Sequence, residues 1–140
     1  MTLQNLADRA AIQDVMLKYV SAIDDRDFDR YRSCFTSDVE IIGFTPDVLR
    51  GTAAVIDFVK PAMAPFGASQ HLIGPSLIAI DGDAAHARTE VQATQCFKEP
   101  EGRTLTLWAT YKTDFVRVAG EWKIKKHLLI PKTMKTVDAG

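Results

Sequence analysis

The chain has 140 residues, 46% of them hydrophobic and 25% charged, with a formal charge of -1 from 17 basic and 18 acidic side chains. These proportions are those of an ordinary globular domain and exclude disorder and collagen-like repetition. The balanced charge argues against a nucleic-acid surface, and no run approaches the roughly 18 apolar residues of a membrane span.

In chain order, the first predicted element is a helix. Leu3, Leu6, Ala10, Ile12, Val15, Met16, Tyr19, Val20 and Ile23 recur at mostly three- and four-residue intervals and gather on one broad face. Asp24-Asp25-Arg26 ends it, and Asp27 is placed to cap a second, shorter helix through Phe28, Tyr31 and Phe35. The period then changes. Val39-Glu40-Ile41-Ile42-Gly43-Phe44 reads as a strand broken by Thr45-Pro46-Asp47, and Gly51-Thr52 opens a third helix containing Val55, Ile56 and Val59. Pro61 either starts or interrupts a further turn running to Phe66.

Four long strands are predicted after Ser69. The first runs from about Gln70 to Ile80, with Pro75 marking an edge or a bulge, and turns at Asp81-Gly82-Asp83. The second alternates Ala85, Ala87, Thr89, Val91, Ala93, Gln95 and Phe97 against polar neighbours and ends at Glu99-Pro100-Glu101-Gly102. The third sets Leu105, Leu107, Ala109, Tyr111 and Phe115 on one face. The fourth sets Trp122, Ile124, Leu128 and Ile130 inward and is closed by Pro131. Helices followed by a meander of long strands give an α+β class in one domain over residues 1–140: helices on one face of a curved, mainly antiparallel sheet, forming a cone with a mouth.

Few residues carry chemistry. His71, in Ser69-Gln70-His71-Leu72-Ile73-Gly74, opens a strand among apolar neighbours. It reads either as an acid/base group or as a core-edge histidine held by a carbonyl. His86 falls on the polar face of its strand, and simple alternation turns His127 away from the core, although Lys126 in the apolar phase allows a bulge beside it. Asp24, at the edge of the helical stripe, is the acid best placed to look into an apolar cavity, with Tyr19 a little over one turn earlier. Turn and cap roles for Asp24 and Asp27 are the plain alternative. Trp108, on a threonine-rich sheet face, points to a covered outer surface, most simply by a second copy of the chain. No Gly-rich phosphate loop, GxSxG, HExxH or cysteine cluster occurs, so no cofactor and no metal are expected. Met1-Thr2-Leu3-Gln4-Asn5 has neither a basic nor an apolar leader. Cys34 and Cys96 stand far apart and read as free thiols, so a cytoplasmic location is expected.

Taken together, Arg9-Ala10-Ala11-Ile12-Gln13-Asp14-Val15, Tyr19, Ala22-Ile23-Asp24, Asp27-Phe28-Asp29, the Ser69–Gly74 segment and Gly120-Glu121-Trp122-Lys123-Ile124 resemble the SnoaL-like branch of the nuclear transport factor 2-like superfamily. The resemblance spans nearly the whole chain and is to the scytalone dehydratase and hexachlorocyclohexane dehydrochlorinase type. It implies a dyad in which Asp24 orients His71 as a proton-abstracting base. The tyrosine positions of the dehydratase hold Ile23 and Gly43 here, and its second histidine falls near Thr94 or Gln95. The implied function is a cofactor-independent lyase or isomerase acting on a small, apolar, cyclic compound. His71 is then the base, Asp24 its orienter and Tyr19 a hydrogen-bond donor. Walls are expected from Met16, Val20, Phe44, Phe58, Met63, Phe66, Val91, Leu107, Tyr111 and Leu128. The alternatives are a non-catalytic small-molecule-binding protein and an accessory subunit like the small subunit of ring-hydroxylating dioxygenases. A homo-oligomer through the outer sheet face is expected, with neither nucleic acid nor membrane as partner.

Overall fold

The computed structural model describes residues 1–140. Helix α1 spans Leu3–Asp24 and is opened by Thr2, whose hydroxyl accepts the Asn5 amide proton at 3.1 Å. Its inner face buries Ile12, Val15, Met16, Tyr19, Val20 and Ile23 as the periodicity predicts, but Leu3 and Leu6 are exposed. Asp8 is the buried group of the second turn, because Arg117 and Trp122 come to meet it. Arg117 donates through Nη1 to Oδ1 (2.7 Å) and through Nη2 to Oδ2 (3.1 Å), and the Trp122 indole donates to Oδ1 (3.2 Å). The Arg117 fork beside it holds the Asp8 carboxyl down to about 2.

The far end of α1 closes in a Schellman turn. Arg26 N–H donates to Ile23 O (3.1 Å) and Asp27 N–H to Ala22 O (2.8 Å). That turn needs a left-handed residue and receives Arg26, at φ +56°, a conformation costing a side-chain-bearing residue about 1–2 kcal/mol. The Asp27 carboxylate accepts the Arg30 amide and caps α2, Phe28–Arg32. This helix is shorter than predicted. Phe35 opens a strand instead, since Cys34 O accepts from Ile124 N–H at 2.7 Å and Phe35 pairs with Ile124.

Strands β1 (Phe35–Ile42) and β2 (Leu49–Arg50) flank the predicted break, and β2 is too short to have shown a pattern. Helix α3, Thr52–Met63, follows Gly51 and carries Pro61 in its last turn. The remaining strands are β3 (Phe66–Ile73), β4 (Leu77–Asp81), β5 (Ala84–Phe97), β6 (Thr104–Val118) and β7 (Glu121–Val137). The single strand expected from Gln70 to Ile80 is thus two, separated at Gly74-Pro75-Ser76, and both pair antiparallel with β5.

The seven strands form one sheet in the order β2-β1-β7-β6-β5-β3, with β4 also on β5. Only β1 and β7 run parallel. Helices packed on a curved, mostly antiparallel sheet make the expected α+β cone, and its core lies between α1, α3 and the inner faces of β5, β6 and β7. No helix is long and apolar enough to cross a membrane.

Strand β7 departs most from its prediction. Asp114 pairs with Lys126 and Phe115 with Ile124, which leaves Lys125 as an extra residue. A second slip between Trp108 and Ala109 lets the strand run past Pro131. One extra residue exchanges the two faces. Trp122 and Ile124 point inward before the bulge, and His127 and Leu129 point inward after it. Leu128 and Ile130 therefore face outward, contrary to expectation, and His127 is fully buried.

Candidate active site

The last residue of α1 and the middle of β3 meet across the mouth of the cone. Asp24 Oδ1 lies 2.7 Å from His71 Nδ1, and Asp24 Oδ2 accepts the His71 backbone N–H at 2.8 Å. The Ser69 hydroxyl donates to Oδ1 at 2.8 Å. The two side chains are only 10% (His71) and 17% (Asp24) exposed. Burial pushes the Asp24 carboxyl upward. The His71 ring, the His71 amide and Ser69 outweigh it, and the net effect is a carboxyl below its ordinary range. A carboxylate facing Nδ1 keeps a proton on that nitrogen, so the neutral ring carries its lone pair on Nε2, which has no hydrogen-bond partner in the protein.

His71 lines a cavity of about 170 Å³ whose fourteen lining residues include twelve hydrophobic ones. An engineered apolar cavity of about 150 Å³ accommodates benzene, so this one has room for about a single ring. Helix α3 supplies Val55, Phe58, Val59, Ala62 and Met63. Tyr19 and Ile23 come from α1, Tyr31 from α2 and Tyr111 from β6. Gln95 is the other polar side chain. Tyr19 is the hub of the aromatic wall, stacked on Tyr31 (5.2 Å) and edge-on to Tyr111 (5.7 Å). Burial raises the pKa of all three phenols, so each stays protonated and able to donate.

Of the walls read from the sequence, Phe44, Phe58, Met63 and Tyr111 line the cavity and six do not. Met16 and Val91 are buried in the core, and Leu107 packs against it. Val20 is buried in the same core. Phe66 is taken up by Phe97, at 4.8 Å. Leu128 is turned outward by the Lys125 bulge. The sequence reading missed Ile23, Tyr31, Ile41, Leu49, Val55, Val59, Ala62 and Gln95 as lining residues. The α3 members among them carried a signal, since Val55, Phe58, Val59, Ala62 and Met63 repeat at three- and four-residue spacing.

The other histidines divide cleanly. His86 is exposed and faces Asp114 at 2.7 Å, on the polar side of β5 as predicted. His127 sits behind the aromatic wall, its ring 4.8 Å from Tyr19 and 4.5 Å from Tyr111. Its Nδ1 pairs with Thr113 Oγ1 at 2.8 Å, while Nε2 is buried without a partner. Burial pushes its pKa down to about 3, so the ring is neutral. No group of three or more His, Cys, Asp or Glu side chains is placed to hold a metal ion.

The pair, the lone nitrogen and the apolar chamber constitute a site able to take a proton from a small guest. A family model described as a SnoaL-like domain matches residues 4–127. An uncharacterised protein of Mycobacterium tuberculosis is 28% identical over 125 residues, covering 89% of this chain and 85% of that protein. A type 2 hexachlorocyclohexane dehydrochlorinase superposes with a TM-score of 0.88 at 22% identity, over 99% of this chain and 93% of the other. A candidate scytalone dehydratase from Novosphingobium aromaticivorans gives 0.90 at 21% identity, over 100% and 94%.

Proposed function

The chain belongs to the SnoaL-like domain family, and on that premise we propose that it is a lyase or isomerase in which His71 is the general base. The observation that carries this reading is the 2.7 Å contact between Asp24 and His71 at the wall of an apolar cavity. His71 Nε2 takes a proton from a carbon or a hydroxyl of the guest. Asp24 fixes the ring's tautomer and stabilises the imidazolium that forms. Tyr19 donates a hydrogen bond to the oxygen or leaving group on which charge develops. The cavity's size and lining favour a small, mostly apolar, single-ring compound. Two structural neighbours are described as a dehydrochlorinase and a candidate dehydratase. Both names denote eliminations, in which a proton and a leaving group are both lost and a base takes the proton.

The test is direct. Mass spectrometry of the purified protein identifies what its cavity retains, and that compound and its close analogues are assayed for turnover. His71→Ala is expected to lower turnover roughly 10²–10⁴-fold with the fold intact. Undiminished turnover refutes the base, and tight binding with no turnover assigns the chain to the binding proteins instead. The exposed Leu72 beside Trp108 supports a homo-oligomer through the outer sheet face, and the free thiols of Cys34 and Cys96 support a reducing, cytoplasmic setting.

A further inference from the structure

Arg26 stands where its residue type is locally disfavoured. It fills the left-handed position of the Schellman turn, at φ +56°, where glycine meets no side-chain penalty. A rule broken locally calls for a compensating contact, and the guanidinium makes several. Nη1 donates to Ile23 O (2.7 Å) and to Ser69 Oγ (2.9 Å), and Nη2 donates to Gly67 O (2.7 Å). With its oxygen accepting from Arg26, the Ser69 hydroxyl turns its own proton to Asp24 Oδ1 at 2.8 Å, the oxygen that also faces His71 Nδ1. The donors run in one direction, from guanidinium to hydroxyl to carboxylate, and the imidazole N–H meets the same oxygen from the other side.

We propose that Arg26 and Ser69 are positioning residues: their relay holds Asp24 Oδ1 against His71 Nδ1 and thereby keeps the proton off Nε2. The inference rests on the reading of His71 as a base and extends it to residues that touch no substrate. The simpler alternative is a clamp, in which Arg26 only ties the end of α1 to β3 through Gly67 O. A clamp affects stability and leaves the electronic state of the dyad alone.

The experiment compares the wild type with Arg26→Gly, Ser69→Ala and Ser69→Thr. Imidazole ¹⁵N shifts read the His71 tautomer, and carboxyl ¹³C shifts read the Asp24 titration. Arg26→Gly keeps the turn in a residue that favours it, and Ser69→Ala leaves the clamp to Gly67 O in place. The wild type is expected to hold neutral His71 in the Nδ1–H form. In both Arg26→Gly and Ser69→Ala, an Nε2–H population emerges and the Asp24 midpoint rises by roughly half a unit or more. Ser69→Thr, which retains the hydroxyl, restores both readouts. Unchanged tautomer and midpoint in folded Ser69→Ala overturn the relay and leave the dyad standing. A wild-type ring protonated on Nε2 overturns the base reading, and the relay with it.

Discussion

At the scale of single residues, His127 is the group whose burial is easiest to measure. Its ring stays neutral in the fold down to about pH 3, whereas an unfolded chain protonates it near 6.5. Between those values the unfolded state binds the extra proton, so stability falls as pH falls, by about 1.4 kcal/mol per pH unit. The Asp24 carboxylate is also depressed, but its contribution is complete above the unfolded carboxylate value near 3.9 and is lost only as pH drops through its lowered native value. Thr110 and Arg88 likewise hold the Glu90 carboxyl down to about 2, so its contribution starts to be lost near pH 4.5, and the window from pH 6 to 5 is the one that isolates the histidine. Urea denaturation of His127→Gln at several pH values in that window should give a flatter dependence than the wild type; parallel curves would contradict a buried neutral ring. The two site residues stood out in the sequence as an acid at the edge of an apolar helical stripe and a histidine among apolar neighbours, but their pairing was legible only through the resemblance to the SnoaL-like branch. His127 did not stand out, since one bulged lysine upstream decides which face it takes.

At the scale of elements, the helices and the long hairpins follow from period and turn chemistry, and the errors fall where pairing between distant segments overrides them. Helix α2 stops early because Ile124 claims the Cys34 carbonyl. The early strand splits at Gly74-Pro75-Ser76, and β7 continues past a proline at a register slip. Gly43 shows the same dependence. It leaves β1 at φ +98°, and a Cβ there would sit 2.3 Å from the backbone oxygen of Leu129 in β7. Gly43→Ala should therefore cost about 2–5 kcal/mol, combining backbone strain with an overlap that neither strand can relieve. Gly120, at φ +81° with open space around it, isolates the conformational part. Gly120→Ala should cost on the order of 1 kcal/mol, read from the same denaturation curves. Equal losses at the two positions would mean that β1 and β7 are not so closely apposed.

At the scale of the molecule, the outer face of the sheet presents Leu72 (57% exposed) and Ile130 (37% exposed), with Trp108 in the groove beside Leu72. An apolar set on an open face is costly to leave in water, and a second copy would cover it. Sedimentation should give about twice the chain mass for the wild type, and Trp108→Glu should return it to one chain with its helix content unchanged; a wild-type monomer would dismiss the pairing.

The parallel seam between β1 and β7 has a bearing on how the protein is made. Ile41 lies against His127, so β1 finds its neighbour only after β2, α3 and the strands β3 to β6 have been made. A nascent chain leaving the ribosome can build its helices and close the β5–β6 hairpin. It cannot seat β1 until the last strand emerges, and contacts of such long sequence separation are slow to form. Cutting the chain before Ile124 would thus do more than fray an edge, because it removes the central plank that the earliest strand waits for and leaves that strand's apolar face open to misassembly.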